Sequence, residues 1–239
     1  MYERRFYRDW MARDGLHRFA VRIGESDLLI LCDRDLQDRA ARALAEARGE
    51  IERQIAGDRQ FATALEPIDR ESESPVVGGM LRAGRAWNVG PMAAVAGAVA
   101  EAVGRHLLAR CETAIVENGG DVFVRSAEPV TFAVYAGERS PFRDRVAFEV
   151  DASRGVGVCT SSGVVGPSLS FGRADAVVAI AADTAFADAA ATAIANRIRE
   201  PDDVDRVVEA EAERGALDGL IACLGDRIGL WGEVELVRT

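Results

Sequence analysis

Polar and apolar positions alternate at the start of the chain and then change period. Residues 16–23, "LHRFAVRI", and 27–32, "DLLILC", read as two strands separated by the turn "GES". Over 35–56, "DLQDRAARALAEARGEIERQIA", the apolar residues Leu36, Ala40, Ala43, Leu44, Ile51 and Ile55 recur at helical spacing and predict an amphipathic helix. Asp33 or Asp35 is placed to cap its start, and Gly57 to stop it. Residues 61–79 show no clear period, and "ESESP" reads as an exposed loop. Residues 92–108 are small-sided and almost all apolar, the pattern of a buried helix, with Pro91 suited to its first turn. Residues 114–124 then read as a hairpin.

The second half follows a similar order. Segments 130–135, 145–150, 155–159 and 176–181 are strand-like, 184–196 and 201–214 are helical, and 226–237, "DRIGLWGEVELV", reads as a final hairpin with a glycine at its turn. Strands, helices and a hairpin therefore recur in each half, roughly 1–126 and 127–239. The two halves share little residue-level identity, so internal duplication is a topological expectation. "RSAEP" at 125–129 is the best candidate connection between them.

Composition narrows the chemistry. The chain has 239 residues and a formal charge of −10, enough length for one large domain or two small ones and the wrong charge for nonspecific nucleic-acid binding. All 29 basic residues are arginine. Without lysine there is no Schiff base and no P-loop lysine. The two histidines, His17 and His106, exclude a histidine-rich metal centre. No apolar run is long enough to span a bilayer, and "MYERRFYRDW" lacks the apolar core of a signal peptide, so the expectation is a cytoplasmic protein without a membrane partner. The four cysteines, Cys32, Cys111, Cys159 and Cys223, show no C-x-x-C spacing; they match neither a zinc site nor a redox pair and read as buried thiols.

Four stretches carry candidate chemistry. Asn118-Gly119-Gly120-Asp121 is first a hairpin turn, since its dipeptides support positive φ; its glycines also bare backbone amides to an anion or a flat ring. "CTSSGVVGPSLSFGRADAVV", 159–178, gathers hydroxyls and glycines as a phosphate-binding loop would, and as a flexible connector would. "FADAAATAIAN", 186–196, places Asp188 and Thr192 four apart on one helix face. That pair suits a hard cation such as Mg²⁺; alternatively Asp188 only complements the helix N-terminus. The Ala- and Gly-rich 92–108 helix first suits close backbone packing; its start, after Gly90-Pro91, is also placed to point amides at an anion.

In this order, "VGPMAAVAGAVAE", "VENGGDVFV", "CTSSG…GPSLSFGRADAVV" and "ADAAATAIAN" resemble one family. They are similar to the uncharacterised branch of the ApbE-like superfamily, the relatives of FAD:protein FMN transferase. "RRFYR", "ESDLLILCDRDL" and Pro67-Ile68 extend the resemblance over essentially the whole chain. It implies a single α+β, T-fold-like (ApbE-like) domain with duplicated strand–helix–strand halves. It implies that Asn118, Gly119, Gly120 and Asp121 line a flavin nucleotide cleft. Thr160, Ser161, Ser162 and Gly163 would stand beside the ligand, with Ser168, Ser170 and Asp175 in the same loop. Asp188 and Thr192 would be the magnesium ligands.

The chain departs from the transferase pattern. The histidine-containing H-x-x-D-P element is replaced by "GVVGPSLSFGRAD", with Pro167 where close relatives in this branch often carry a histidine, and the lysine-glycine element is absent. The leading expectation is therefore a protein that holds a flavin (FAD or another), a nucleotide or another phosphorylated small molecule, with Mg²⁺, between the Gly119-Gly120 turn and the Thr160–Ser170 loop. Asp121 and Asp175 are both candidates for a base. The second expectation is a non-catalytic accessory protein with a protein partner in anaerobic sulfur assimilation. Flavin transfer itself ranks last. A symmetric homodimer is the default assembly.

Overall fold

The computed structural model describes residues 13, 15–137, 140–142, 146–163 and 172–237. Its centre is an eight-stranded sheet in the order β1-β2-β3-β4-β7-β8-β9-β10, every neighbouring pair antiparallel. The strands are β1 (His17–Ile23), β2 (Ser26–Cys32), β3 (Ala114–Asn118), β4 (Asp121–Arg125), β7 (Val156–Ser161), β8 (Ala176–Ala181), β9 (Gly219–Leu224) and β10 (Arg227–Gly232). Between β2 and β3 the chain forms α1 (Gln37–Gly57), α2 (Gln60–Thr63), α3 (Pro75–Trp87), a 3-10 turn at Pro91–Ala94 and α4 (Val95–Leu108). Between β8 and β9 it forms α5 (Thr184–Ala195) and α6 (Asp203–Arg214). A second sheet, β11-β6-β5, is built from β5 (Val130–Ala133), β6 (Ala147–Val150) and β11 (Glu235–Val237).

Both faces of the large sheet are covered, which is why its central strands read as continuous apolar runs. Side chains alternate between the faces. Val177, Ala179 and Ala181 of β8 join the helices in one core, with Leu28, Ile30, Cys32, Val116 and Phe123. Ala176, Val178 and Ile180 join the second core, which includes Phe148 and Val150 of the small sheet. The molecule thus has three layers: helices, the large sheet and the small sheet.

Most expected elements are present, with three corrections. Residues 61–79 are not simply irregular, because 75–87 form α3. Ser74 caps that helix through Val77 N–H, and Pro75 occupies its first turn. Gly78, Gly79 and Gly84 hid it from a propensity reading. The C-terminal segment is not a hairpin with itself: β10 pairs with β9, while β11 leaves to pair with β6. Gly232, at φ 83, makes the bend that separates them. Gly57 lies inside α1, and the residue that caps its end is Asp58. At the start of α1, Asp35 accepts from Gln37 N–H at 3.3 Å, whereas Asp33 is engaged elsewhere.

No helix among the described residues is long and apolar enough to cross a membrane.

Candidate functional site

Asn118 and Asp121 face each other across the β3–β4 turn. Gly119 (φ 74) and Gly120 (φ 106) both take positive φ, as a two-residue hairpin of the primed type requires. Opposed residues share a face, and here it is the helix face, shared with Phe123 and, on β7, Cys159. Asn118 Nδ2 donates to Ala96 O at 3.1 Å, joining the turn to α4. On the other face, Glu117 is buried and accepts from Gly120 N–H at 3.0 Å, bracing the turn from behind.

Above this face the N-terminal ends of α4 and α5 meet. A Cβ on Gly97 would stand 2.5 Å from Thr184 O, and one on Gly157 2.5 Å from Thr184 Cα. Only glycine at both positions lets α4, α5 and β7 approach this closely. Asp188 Oδ2 accepts from Gly97 N–H at 2.8 Å. The α4 helix has no side-chain cap of its own. Asp188 therefore caps α4, a neighbouring helix, while Asp183 caps α5 by accepting from Phe186 N–H. Glu101 accepts from Thr184 N–H at 2.7 Å and ties the two helices again. Thr184 Oγ1 is buried with no hydrogen-bond partner.

The electrostatics of this junction are unusual. Asp121 and Asp188 are both buried, and neither is paired with an arginine among the described residues. Burial pushes Asp121 well above the usual carboxylate range. The Asp188 charge pushes the same way, against donors at Cys159 and Thr160. Thr160 N–H donates to Asp121 Oδ1 at 3.3 Å. Asp188 is raised to about 7 by burial, opposed by the amides of Gly97 and Ala96. Burial and the two carboxylates push the Cys159 thiol up as well, and its Sγ donates to Thr184 O at 3.4 Å. The arrangement holds negative charge poorly by itself and would gain from a cation.

The structure thus brings together Asn118, Gly119, Gly120, Asp121, Thr160 and Asp188. Thr192 lies one turn beyond Asp188 on α5 and is half-buried. Ser161 and Ser162 continue from β7, and Gly163 N–H donates to Ala174 O at 2.9 Å. Ser168 and Ser170 lie outside the described residues. Asp175 sits at the same end of the sheet, but its carboxylate accepts from Gly225 N–H at 2.9 Å and holds the β9–β10 turn. Glu117, Cys159 and Thr184 were not expected at the site. Glu117 had a visible signal, because an acid inside an apolar strand covered on both faces is buried whichever way it points.

Comparison with known proteins places the chain in its family. The family model described as "AbpE bacteria" matches residues 8–218. A UPF0280 protein of Methanoculleus marisnigri is 43% identical over 210 residues, covering 87% of this chain and 85% of that protein. The UPF0280 protein MJ1526 of Methanocaldococcus jannaschii is 39% identical over 226 residues, covering 91% of each. The chain belongs to this bacterial ApbE-type family. Among solved structures, the apo flavinyl transferase ApbE of Pseudomonas stutzeri superposes with a TM-score of 0.55 at 15% identity, over 92% of this chain and 95% of that one. The ApbE protein of Thermotoga maritima gives 0.54 at 16%, over 94% and 97%. At such identities the likeness is one of fold: this is an α+β protein of ApbE architecture.

Proposed function

We propose that the protein binds a flavin or another phosphorylated nucleotide against the Gly119-Gly120 turn and the chain that follows Thr160, with a divalent cation at Asp188. The observation that carries this is the meeting of two buried carboxylates, Asp121 and Asp188, with no arginine among the described residues to neutralise them. Buried charges are otherwise paired or bound to metal. The donor set fits a hard cation. Asp188 Oδ1, the Thr192 hydroxyl and Asp121 are oxygen ligands, and the orphaned Thr184 Oγ1 lies at the same junction. Bound Mg²⁺ would supply positive charge for a phosphate. The chain's own residues would do the rest: Gly119 and Gly120 leave the turn bare for a flat ring, and Glu117 keeps it rigid. The flavin transferases of like fold support the choice of ligand class.

This reading stops short of flavin transfer, because "GVVGPSLSFGRAD" offers no histidine. It treats 1–239 as one domain of two pseudo-repeats, which the two runs of four strands, each interrupted by helices, support.

The test is native mass spectrometry of the purified protein, alone and with FAD plus Mg²⁺, repeated on Asp188→Ala. Retention of one flavin by the wild type, weakened by the substitution, is the expected result. Clean apo masses throughout, with no Mg²⁺-dependent gain in melting temperature, would overturn the proposal.

A further inference from the structure

Cys32 and Cys111 are far apart in sequence and share no motif, yet the fold joins them. Their Sγ atoms and a carboxylate oxygen of Asp33 all lie within 4.8 Å of one another. Cys32 ends β2, Cys111 stands just before β3, and the β2–β3 pairing holds the two segments in register. Cys32 Sγ is 3.8 Å from Asp33 Oδ1. A tetrahedral zinc ion, with Zn–S near 2.3 Å and Zn–O near 2.0–2.2 Å, spaces such ligand atoms by about 3.6–3.8 Å. The Cys32–Asp33 pair already has this spacing, and closing the rest of the set takes a shift of at most about 1 Å.

The carboxylate is already oriented. Asp33 Oδ2 accepts from the N–H groups of Glu112 at 2.9 Å and Thr113 at 3.4 Å, which leaves Oδ1 turned to the thiol. Ligand carboxylates are fixed in this way by a second layer of donors. The position opposite Cys32 on β1 is His17. Directly opposed residues share a face with Cβ atoms about 4.5–5.5 Å apart. His17 is exposed, and it is the one histidine on this part of the sheet. A cavity of about 440 Å³, lined by Asp33, Cys111, Glu112, Thr113 and Arg125, opens onto the cluster and provides an entry path.

We propose that Cys32, Cys111 and Asp33, completed by His17, form a binding site for one thiophilic divalent cation of the zinc type. Two thiolates select against Mg²⁺ and separate this site chemically from Asp188. It is also separate in space. The cluster lies at the ends of β2 and β3 away from the Gly119-Gly120 turn, about 17 Å along β3 at 3.4 Å per residue.

The test uses the full chain, stripped with a chelator under reducing conditions and titrated with Co²⁺. The wild type should take up one equivalent at the thiolates, counted by their charge-transfer band, which cobalt on the oxygen donors at Asp188 does not give. It should show a thiolate-to-cobalt charge-transfer band in the near ultraviolet and tetrahedral bands in the visible, both abolished by Zn²⁺. Cys32→Ser and Cys111→Ser should lose the charge-transfer intensity. Asp33→Asn keeps the acceptor for Glu112 and Thr113 and should bind roughly 10-fold or more weakly, a loss of the size seen when a metal site is disturbed. Cys223→Ser, in the core beneath the small sheet, should bind as the wild type does. If a cysteine variant fails to fold, as judged by circular dichroism, Asp33→Asn and the exposed His17→Ala decide the matter. Unchanged affinity and spectrum in Asp33→Asn would overturn the site, and unchanged affinity in His17→Ala would overturn its fourth ligand. A reduced wild type that develops no thiolate-to-cobalt band, or that only forms a Cys32–Cys111 disulfide in air, would overturn the proposal outright.

Discussion

Asp188→Asn separates the charge of this carboxylate from its hydrogen bond. The amide oxygen can still accept from Gly97 N–H, so the cap on α4 is retained. What disappears is the titration. In the folded protein burial raises Asp188 to about 7, against its ordinary 3.8. Between those values the folded state holds a proton that the unfolded chain has released. The stabilisation is therefore complete below about pH 4 and is lost as pH rises through 7. At about 1.36 kcal/mol per pH unit, the wild type should lose roughly 4 kcal/mol from this group across that window. Asparagine has nothing to lose. The variant should lie within about 1 kcal/mol of the wild type at pH 4.5, the scale of one exchanged hydrogen bond. By pH 8.5 it should be the more stable protein by several kcal/mol. Urea unfolding of chelator-treated protein, followed by circular dichroism across this range, measures the difference directly. A wild-type-minus-variant difference that stays flat with pH would refute the reasoning, because it would mean that the buried carboxylate keeps its charge at no cost. Mg²⁺ at 100-fold over its dissociation constant should restore about 2.7 kcal/mol to the wild type at pH 8.5 and nothing to the variant.

Three further outcomes test the packing around the site. Gly97→Ala would force a Cβ to 2.5 Å from Thr184 O and 2.9 Å from Asp188 Cβ, and should cost about 1–3 kcal/mol in urea unfolding. A neutral result would mean that α4 and α5 are less tightly joined than described. Gly120→Ala places a side chain at φ 106 and should cost about 1–2 kcal/mol with little change in the circular dichroism spectrum. Arg214→Ala removes a guanidinium 3.9 Å above the Trp87 ring and a hydrogen bond to Ala86 O. The melting temperature should fall by an amount equivalent to about 1 kcal/mol, with a shift in tryptophan emission.

What was legible in the sequence, and what was not, divides along contact range. The β3–β4 hairpin was legible because positive φ at two successive glycines is a local demand. With the turn known, the pairing of Asn118 with Asp121 follows from period two alone. The Asp188–Thr192 face was legible for the same reason. The partner of Asp188 was not. The sequence allowed a carboxylate serving its own helix, whereas the structure gives that task to Asp183 and sends Asp188 across to Gly97 N–H of α4. Nothing local distinguishes the two, since the choice is made by Gly97 and Gly157 admitting Thr184 between them. The cysteines make the same point. Cys32 and Cys111 carry no spacing signal, because their meeting is a consequence of β2 pairing with β3 across an insertion of helices. Likewise α3 was hidden by its glycines, and β11 was read as the hairpin partner of β10, because a helix rich in glycine and a strand leaving its neighbour are both stabilised by surfaces from elsewhere in the chain. The candidate site lies where such surfaces converge. At the Asp121–Asp188 junction four elements, β4, β7, α4 and α5, bury two like charges that no single element would tolerate, and a ligand that neutralises them would be held by the fold as a whole.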